Sequence, residues 1–568
     1  MLWSKNINFS FLYCLVGGVF LTGIKGGTSY LVGNQTTYLL YGLRLFDPTF
    51  IPQDWYTWDA FPYHFAFGYL VYFLQFIGPL HITTVIVQFF TMTALSFGLL
   101  ILSKRFCRYP VPVYIALLTW MGVHSSPEIG LGWQSLILGH FEPSEIAGSL
   151  MVLGLALLLN RQYFFSGVTL GVAGIFHAAI LASFAPIIFA TVLAKKIWKS
   201  PKHLMSFSVP LILFWGIFVL VVGNVLLHSS PDPSATSIII NLRNDGDLNI
   251  FNWSMKWTLH WFIFAGIGSM AIWALPVEKK FKELRISFFA SLLFIILTVA
   301  QMALLKIDSI TSLMLWRAAP WIIVLGLLIA LDRCIDILIM TNGELQKKDK
   351  LFITFLIIVG VMLVISGWGP FDSKARFLWI MSFPLTIGAS YILTKLQINK
   401  ISRLKIFISF LLIILLWGSK NGITNAQNHA SLPTLNQNAE FKMESWVREN
   451  TPKNAVFIIP TQIEYMRVRA RRAVVVEWKS TSTIPADLRE WYKRILDVSG
   501  FPYATSPTEL SHKLLKDGYS HLDTARAKSL QNRYGAKFIV VSNDHKGNLD
   551  DLIIRYQNEE YRILEIPY

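Results

Sequence analysis

Charged side chains are scarce in this 568-residue sequence, at 15% of the residues, against about 25% in a typical soluble domain. Cysteine is rarer still: Cys14, Cys107 and Cys334 are far apart, so the sequence has neither a disulfide framework nor the spacing of a metal site. Glycine-rich phosphate loops, dinucleotide-binding fingerprints and nucleophile elbows are missing too. These absences exclude the function classes that depend on those motifs.

Apolar residues are abundant instead, at 54% of the sequence, and they gather in long runs before residue 420. Runs of about 17–25 residues are long enough to cross the hydrocarbon core of a membrane. Phe207–Leu227, Phe288–Leu305 and Leu351–Trp368 are examples. The pattern predicts a polytopic α-helical membrane protein with about 13 spans in residues 1–419, a linker over 420–440 and a C-terminal α/β extracytoplasmic domain over 441–568.

The net charge of +16 is unevenly distributed. Residues 420–568 carry 21 Lys and Arg and 17 Asp and Glu, and the membrane part carries the other 29 Lys and Arg and 17 Asp and Glu. The basic residues of the membrane part cluster in short loops, as at 104–108 and 195–202, which is typical of the cytoplasmic side. The charge therefore indicates topology and not a nucleic-acid partner, and the expected partner is membrane lipid.

Placing those basic loops inside predicts a cytoplasmic N-terminus and a periplasmic or extracellular C-terminal domain, as in a multi-pass protein of a bacterial inner membrane. Long outer loops are expected at 32–80 and 229–256. The predicted spans cover about 9–30, 82–103, 110–123, 144–160, 163–179 and 181–194, two helices flanking the loop 229–256, and helices centred near 296, 322, 358, 386 and 411.

Residues 61–77, inside the first outer loop, are apolar and rich in aromatic side chains. We favour a helix that lies in the membrane interface, because Tyr63, His64 and the aromatic residues suit that depth. The alternative is a crossing helix, which would put the next basic cluster on the outside, against the charge rule.

Three acids of the first outer loop, Asp47, Asp54 and Asp59, lie among prolines and aromatic residues. A carboxylate held at the membrane surface can take the proton of an acceptor hydroxyl or bind a divalent cation such as Mg²⁺ or Mn²⁺. Asp54 and Asp47 are therefore candidate catalytic residues, and all three acids are candidate metal ligands. The alternative is that they are solvated or cap helices.

A second acidic group stands at the outer start of the fourth predicted span, where Glu142 follows His140. Glu142 is a third candidate catalytic residue, and His140 is a candidate binding residue facing the first loop across a cavity. Capping of the following helix is the alternative for the acid.

Polar residues inside apolar stretches are candidates for function. His177 separates two short spans, and Arg317 lies near the outer end of another; a packed histidine and a structural ion pair are the alternatives. Arg376 and Arg44 add further outward cations. Carboxylates and arginines on one face suit a substrate that contains phosphate.

The C-terminal residues alternate between strands and helices, which is typical of a small layered domain. We predict strands at 455–459, 473–477, 537–541 and 561–566, and helices at 485–498, at 524–534 and starting at the capping box 506–509. The basic run 467–472 separates the first two strands, and Lys479 follows the second. Arg472 and Lys479 are therefore candidates for binding phosphate or glycan, with a solvated basic loop as the alternative.

This architecture resembles the GT-C class of integral-membrane glycosyltransferases, in which a long first outer loop bears catalytic acids and many members carry a C-terminal outer domain. The layout also resembles that of oligosaccharyltransferase catalytic subunits, with a tail that opens Thr451-Pro452-Lys453-Asn454-Ala455-Val456. Thr461-Gln462-Ile463-Glu464-Tyr465 stands where those subunits carry Trp-Trp-Asp-Tyr-Gly, so the sequence does not indicate glycosylation of asparagine sequons.

A closer resemblance is to uncharacterised bacterial multi-pass membrane proteins of this class. The shared pattern is Asn34-Gln35, Asp47-Pro48, Asp54, Phe176-His177, Arg472-Ala473-Val474-Val475-Val476, Lys479 and Glu490-Trp491-Tyr492 with Arg494.

The GT-C resemblance implies an inverting transferase that moves a sugar from a polyprenyl-phosphate-type donor to a cell-envelope acceptor on the outer face. Asp54 or Asp47 would act as the base or hold a metal, and Arg317 and Arg376 would steady the leaving phosphate. The alternative is a non-enzymatic transporter or assembly factor for cell-envelope polysaccharide. Inverted repeats would favour a transporter, and the sequence shows none.

Overall fold

A computed structural model of the chain describes residues 7–24, 30–31, 33–123, 131, 140–223, 233–244, 248–339, 438–482, 484–501 and 506–567. The predicted spans near residues 358, 386 and 411, Arg376 and most of the predicted linker lie outside these ranges. The chain forms two compact units. Met1–Thr28, Ile86–Ile217 and Asn249–Ala426 make up the helical unit, and Ser29–Val85, Phe218–Leu248 and Gln427–Tyr568 make up the mixed unit.

Helices dominate the described residues. In chain order they are α1 (Ile7–Ile24), α2 (Gln35–Tyr38), α3 (Leu40–Phe46), α4 (Trp55–Trp58), α5 (Phe65–Ile77), α6 (Leu80–Phe106), α7 (Pro110–Val123), α8 (Pro143–Leu159), α9 (Tyr163–Phe176), α10 (Ala178–Ala194), α11 (Pro201–Phe218), α12 (Pro233–Ile238), α13 (Met255–Trp273), α14 (Lys279–Ala300), α15 (Asp308–Thr311), α16 (Ala319–Ile339), α17 (Ala439–Asn450), α18 (Pro485–Ser499), α19 (His512–Ser520) and α20 (Thr524–Tyr534).

Several helical stretches have the length and composition of membrane spans. Among the described residues, 4 stretches are long and apolar enough to cross a membrane. They are Leu80–Phe106, Pro201–Gly223, Lys279–Leu305 and Leu315–Ile337. The predicted spans from 82 to 194 coincide with α6 to α10 to within a few residues, because long apolar runs form helices whichever neighbours they have.

The apolar helices pack closely where small residues face each other. A Cβ atom built on Gly268 of α13 would lie 2.5 Å from the Cα atom of Gly326 of α16. Ser166 of α9 donates its hydroxyl to the carbonyl of Gly154 in α8 at 2.8 Å, which sets the register of an antiparallel helix pair. Contacts of this kind hold helices together in lipid, where apolar burial alone gives little preference.

The segment 61–77, for which the sequence left two interpretations open, contains α5. This helix has 13 residues and belongs to the mixed unit. At about 1.5 Å per residue such a helix is about 20 Å long, shorter than the hydrocarbon core of about 30 Å. Its length therefore fits the interfacial interpretation better than the crossing one.

The mixed unit contains one five-stranded sheet. Its strands are β1 (Val456–Ile458), β2 (Ala473–Val474), β3 (Phe538–Ser542), β4 (Ile553–Gln557) and β5 (Tyr561–Glu565), in the order β2-β1-β3-β5-β4. β1 pairs in parallel with β2 and β3, whereas β5 runs antiparallel to β3 and β4. The chain therefore leaves β1 toward one side and later returns to its other side.

The core of the mixed unit also includes residues from both predicted outer loops. Ile238 and Leu242, from the second loop, are buried together with Ile458 of β1 and Trp491 of α18. Phe50 and Ile51, from the first loop, are buried with Val468. This grouping differs from the predicted division, which assigned both loops to the membrane domain.

Most C-terminal strands and helices agree with the prediction, although the strand predicted at 473–477 covers only Ala473–Val474. Ser506 caps a single 3₁₀ turn, Pro507–Glu509, because Leu510 is extended, and the α-helix begins later with Ser511 as its cap. The sequence does not predict β4, because the side chains of this strand are mostly exposed and lack an apolar alternation. α17 was not predicted either, and it begins directly after Asn438, inside the predicted linker.

Candidate functional site

Asp54 lies at the N-cap of α4, and its carboxylate is completely buried. One oxygen accepts the backbone N–H of Thr57 at 2.9 Å. The other accepts Nε of Arg467 at 2.8 Å and the backbone N–H of Val474 at 3.1 Å. Both oxygens therefore hold protein groups in place, so this geometry gives Asp54 a positioning role. Its predicted part in catalysis stays a prediction.

Arg467 links two acids, because its Nη1 also lies 2.9 Å from Glu477 Oε2. The three side chains are almost fully enclosed, with exposed fractions of 0% for Asp54, 1% for Arg467 and 0% for Glu477. Ser480 donates its hydroxyl to the same oxygen of Glu477 at 3.0 Å. Burial raises the pKa of Glu477 to about 7, against the opposing pull of Arg467.

The other candidates of the first loop mainly stabilise its local structure. Asp47 accepts the backbone N–H of Thr49 at 2.9 Å and the Thr49 hydroxyl at 2.7 Å, and this hydrogen bonding holds the pKa of Asp47 below its ordinary value. Arg44 donates to the carbonyls of Thr57 and Trp58, the latter at 3.0 Å, at the end of α4. Asp59 is exposed.

The candidate metal ligands do not converge. Asp47, Asp54 and Asp59 are all described, and no three His, Cys, Asp or Glu side chains within the described ranges form a group that could hold a metal ion. Asp54 in particular has a guanidinium where a cation would sit. The divalent-cation prediction for these three acids therefore has no geometric support in this loop.

Arg472, proposed as a phosphate ligand, is bound to its own domain. Nε donates to the Thr451 hydroxyl at 2.9 Å, and the two Nη atoms donate to the carbonyls of Ala470, Arg471, Arg448 and Thr451 at 2.6–3.2 Å. A guanidinium has five N–H donors, so these five contacts use all of them. The side chain is 4% exposed. Arg472 thus ties the end of α17 to the loop before β2.

Lys479 forms a salt bridge of 2.5 Å with Glu464, a partly exposed pair. Arg469 lies 3.3 Å from Glu444 and 3.7 Å from the ring centroid of Tyr465. In the basic run 467–472, Arg467, Arg469 and Arg472 therefore contact acids, carbonyls or rings of the same unit. Glycan or phosphate binding by Arg472 would require breaking these contacts, whereas Lys479 remains partly accessible.

The candidates in the helical unit form two pairs. His140 Nε2 lies 3.0 Å from Glu142 Oε2, and the Ser144 hydroxyl donates to Glu142 Oε1. Glu142 is 2% exposed and stands at the N-cap position of α8 without capping it through its side chain. The carboxylate is thus held by two neighbouring side chains beside the start of an apolar helix.

His177 and Arg317 form the second pair, with Arg317 Nη1 3.3 Å from His177 Nε2. His177 is the single residue between α9 and α10. Its backbone is extended, so it separates the two helices. Arg317 lies in the 3₁₀ turn Leu315–Ala318 that precedes α16. Sequence reasoning found both residues, but not that they touch.

The two pairs lie at the same end of the helices. α8 and α9 are antiparallel and joined by a short turn, so the start of α8 is next to the end of α9. Glu142 precedes α8, and His177 follows α9. Four predicted site residues, His140, Glu142, His177 and Arg317, are therefore gathered by the packing of α8, α9 and α10.

Sequence reasoning missed the partners of several candidates. Arg467 was visible only as part of a basic run, and Glu477 as the end of a strand. It also missed Glu283, a 4% exposed acid of α14 that contacts Lys195 at 2.9 Å and Arg105 at 3.3 Å. The sequence did contain a signal. Glu283 is the one acid in a basic segment and Glu477 ends an apolar run, and an acid buried in such a place needs a cationic partner.

The C-terminal part of the chain matches a known family model. Residues 439–498 match the model described as Domain of unknown function (DUF6798). This segment runs from the start of α17 through most of α18 and includes Arg467, Arg472 and Glu477. No curated protein matches the chain.

Proposed function

We propose that the chain is a GT-C-like membrane glycosyltransferase that moves a sugar from a polyprenyl-phosphate-type donor to an envelope acceptor. The observation that supports this proposal is the 3.3 Å contact between Arg317 and His177, at a break between apolar helices. A guanidinium at membrane depth favours an anion. The backbone N–H groups that open α10, directly after His177, favour one as well. A phosphate ester would provide an anion for both the Arg317 guanidinium and the N–H groups at the start of α10.

The geometry favours Glu142 as the base among the three candidate acids. It is at the same helix ends as Arg317 and His177, whereas Asp54 has both oxygens bound to its own unit. His140 and Ser144 hold the Glu142 carboxylate in one orientation. A base fixed in this way needs little reorganisation when it accepts a proton.

In the proposed reaction, the acceptor hydroxyl oxygen attacks the anomeric carbon of the donor sugar. The bond between that carbon and the phosphate oxygen breaks, and its electron pair leaves with the phosphate beside Arg317 and His177. The acceptor proton passes to Glu142. A single displacement inverts the anomeric centre, and the new charge on the leaving phosphate is offset by the guanidinium.

The test is transfer of labelled sugar from lipid-linked donor to envelope polymer, in membranes that contain the full-length chain. Glu142→Gln should lower transfer by about 10²–10⁴-fold, the usual contribution of a general base, at unchanged protein level. Asp308→Asn, at an exposed acid of the same unit, is the matched control and should leave transfer unchanged.

Two outcomes would count against the proposal. Normal transfer by Glu142→Gln would remove the catalytic assignment of Glu142. Absence of transfer by the wild-type chain, together with altered export of envelope polysaccharide, would favour the transporter or assembly-factor alternative. Asp54→Asn separates the two roles of that acid, because a positioning role predicts a lower melting temperature along with any loss of transfer.

A further inference from the structure

Three cations surround one acid at the opposite end of α8. Glu283 Oε2 lies 2.9 Å from Lys195 Nζ and 3.3 Å from Arg105 Nη2, and its Oε1 lies 3.7 Å from Arg161 Nη2. The residues come from four helix ends: the last turn of α6, the turn after α8, the residue after α10 and the first turns of α14.

Among the residues that the structure describes, the cluster carries more positive charge than Glu283 can neutralise. Lys195 is well satisfied, because it also donates to the carbonyl of Leu159 at 2.8 Å and its side chain is 1% exposed. The two arginines are less well satisfied. Arg105 Nε is buried and finds no hydrogen-bond partner among the described residues. Arg161 contacts Glu283 only as a long ion pair, and its side chain is 54% exposed.

Two guanidiniums with donors to spare, held near each other, favour an added anion. Phosphate oxygens suit them best, because a guanidinium can donate two parallel hydrogen bonds to one phosphate group. The position of the cluster also favours a phosphate ligand. The cluster caps the ends of apolar helices, where lipid headgroups lie in a membrane.

We infer that Arg105 and Arg161, supported by Lys195 and Glu283, form a binding site for an anionic phosphate group at this end of the helical unit. The site is separate from the proposed catalytic pairs. α8 has 17 residues between the two sets, about 25 Å at the α-helical rise. The ligand is a lipid phosphodiester headgroup or a soluble phosphate, which share this chemistry.

The test uses the full-length protein, purified in a neutral detergent and stripped of lipid. Native mass spectrometry then measures retention of phosphatidylglycerol, of zwitterionic phosphatidylcholine and of inorganic phosphate. The wild type should retain phosphatidylglycerol in preference to phosphatidylcholine. Arg161→Gln should weaken that retention about fivefold, and Arg105→Gln with Arg161→Gln about 25-fold, as expected for about 1 kcal/mol per basic residue.

Matched controls are Lys202→Gln and Lys282→Gln, which each remove one exposed positive charge near the same helix ends. Both should bind phosphatidylglycerol like the wild type. Competition by millimolar inorganic phosphate would show that the site takes phosphate from either source, whereas no competition would assign it to lipid headgroups. Equal binding of both lipids without phosphate binding, or equal loss in controls and arginine variants, would overturn the inference. If the double variant does not fold, retention of phosphatidylglycerol by the Arg161→Gln variant is the deciding measurement.

Discussion

Asp54 and Arg467 are 413 positions apart in the sequence, yet their side chains meet at 2.8 Å with almost no solvent exposure. The contact ties the first predicted outer loop to the C-terminal residues within one unit. Glu477 completes the arrangement from the other side of Arg467. Asp54 and Glu477 thus share one buried cation, Arg467. Without Arg467, both acids would be buried with no positive charge beside them.

Arg467→Met should therefore destabilise the mixed unit strongly. The substitution keeps a similar apolar volume but leaves Asp54 and Glu477 buried together without a cation, which costs about 3–5 kcal/mol. We expect a lower melting temperature and faster proteolysis of the C-terminal residues in the full-length protein. Arg471→Met, at an exposed neighbouring arginine, is the control. Equal stability of the two variants would contradict the buried-triad description.

The contribution of Glu477 to the stability of this unit should fall as the pH rises from about 4.5 to about 7. Burial raises the pKa of Glu477 to about 7 from an ordinary value of 4.5, so between these values the folded state binds more protons than the unfolded state. The contribution of Glu477 then decreases with rising pH by up to about 3 kcal/mol and levels off above the pKa of Glu477 in the folded state.

Glu477→Gln tests this dependence, because glutamine resembles the protonated acid and does not titrate. Melting temperatures at pH 5 and pH 8 should differ less in this variant than in the wild type. Glu449→Gln, at an exposed acid of the same unit, should keep the wild-type difference. A wild-type pH dependence that persists in Glu477→Gln would assign the titration to another group, such as Glu444, whose pKa burial raises to about 8.

Arg472→Lys should destabilise the junction between α17 and β2 although the charge is kept. An ammonium has three donors where the guanidinium uses five, so at least two buried acceptors lose their partner at about 1–3 kcal/mol each. We expect a melting temperature lower by several degrees. Arg471→Lys is the adjacent exposed control, and an equally stable Arg472→Lys would return this arginine to the list of ligand-binding candidates.

Gly268→Ala should loosen the packing of α13 on α16. The added Cβ atom would meet the backbone of Gly326 at 2.5 Å, and backbone cannot move aside as a flexible side chain can. Overpacking of this kind costs about 1–3 kcal/mol. Thermal stability in detergent is the measurement. Gly216→Ala is the control, because a Cβ atom there has no described atom within 4 Å. Gly326→Ala should behave like Gly268→Ala, since the contact is mutual.

Local patterns in the sequence were sufficient for many elements. Apolar runs predicted α6 to α10 to within about three residues at each end, because apolar length and periodicity determine helices locally. The periodicity of Leu488, Trp491, Ile495 and Leu496 likewise predicted α18, whereas the capping box at 506–509 begins only a 3₁₀ turn. β4 and α17 were not predicted, because neither has a strong local signal. β4 is an exposed edge strand, and α17 follows an Asn-rich stretch.

The sequence by itself determined that this chain has apolar helices of membrane-spanning length and a small α/β tail, and it identified Asp54, Glu142, His177, Arg317 and Arg472 as residues to examine. Only the tertiary structure decided their roles. It paired Asp54 with Arg467, bound Arg472 to four carbonyls and the Thr451 hydroxyl, and brought His177 against Arg317. The physical reason is that the fate of a buried charge depends on the partner that the fold supplies, and that partner can stand anywhere in the sequence.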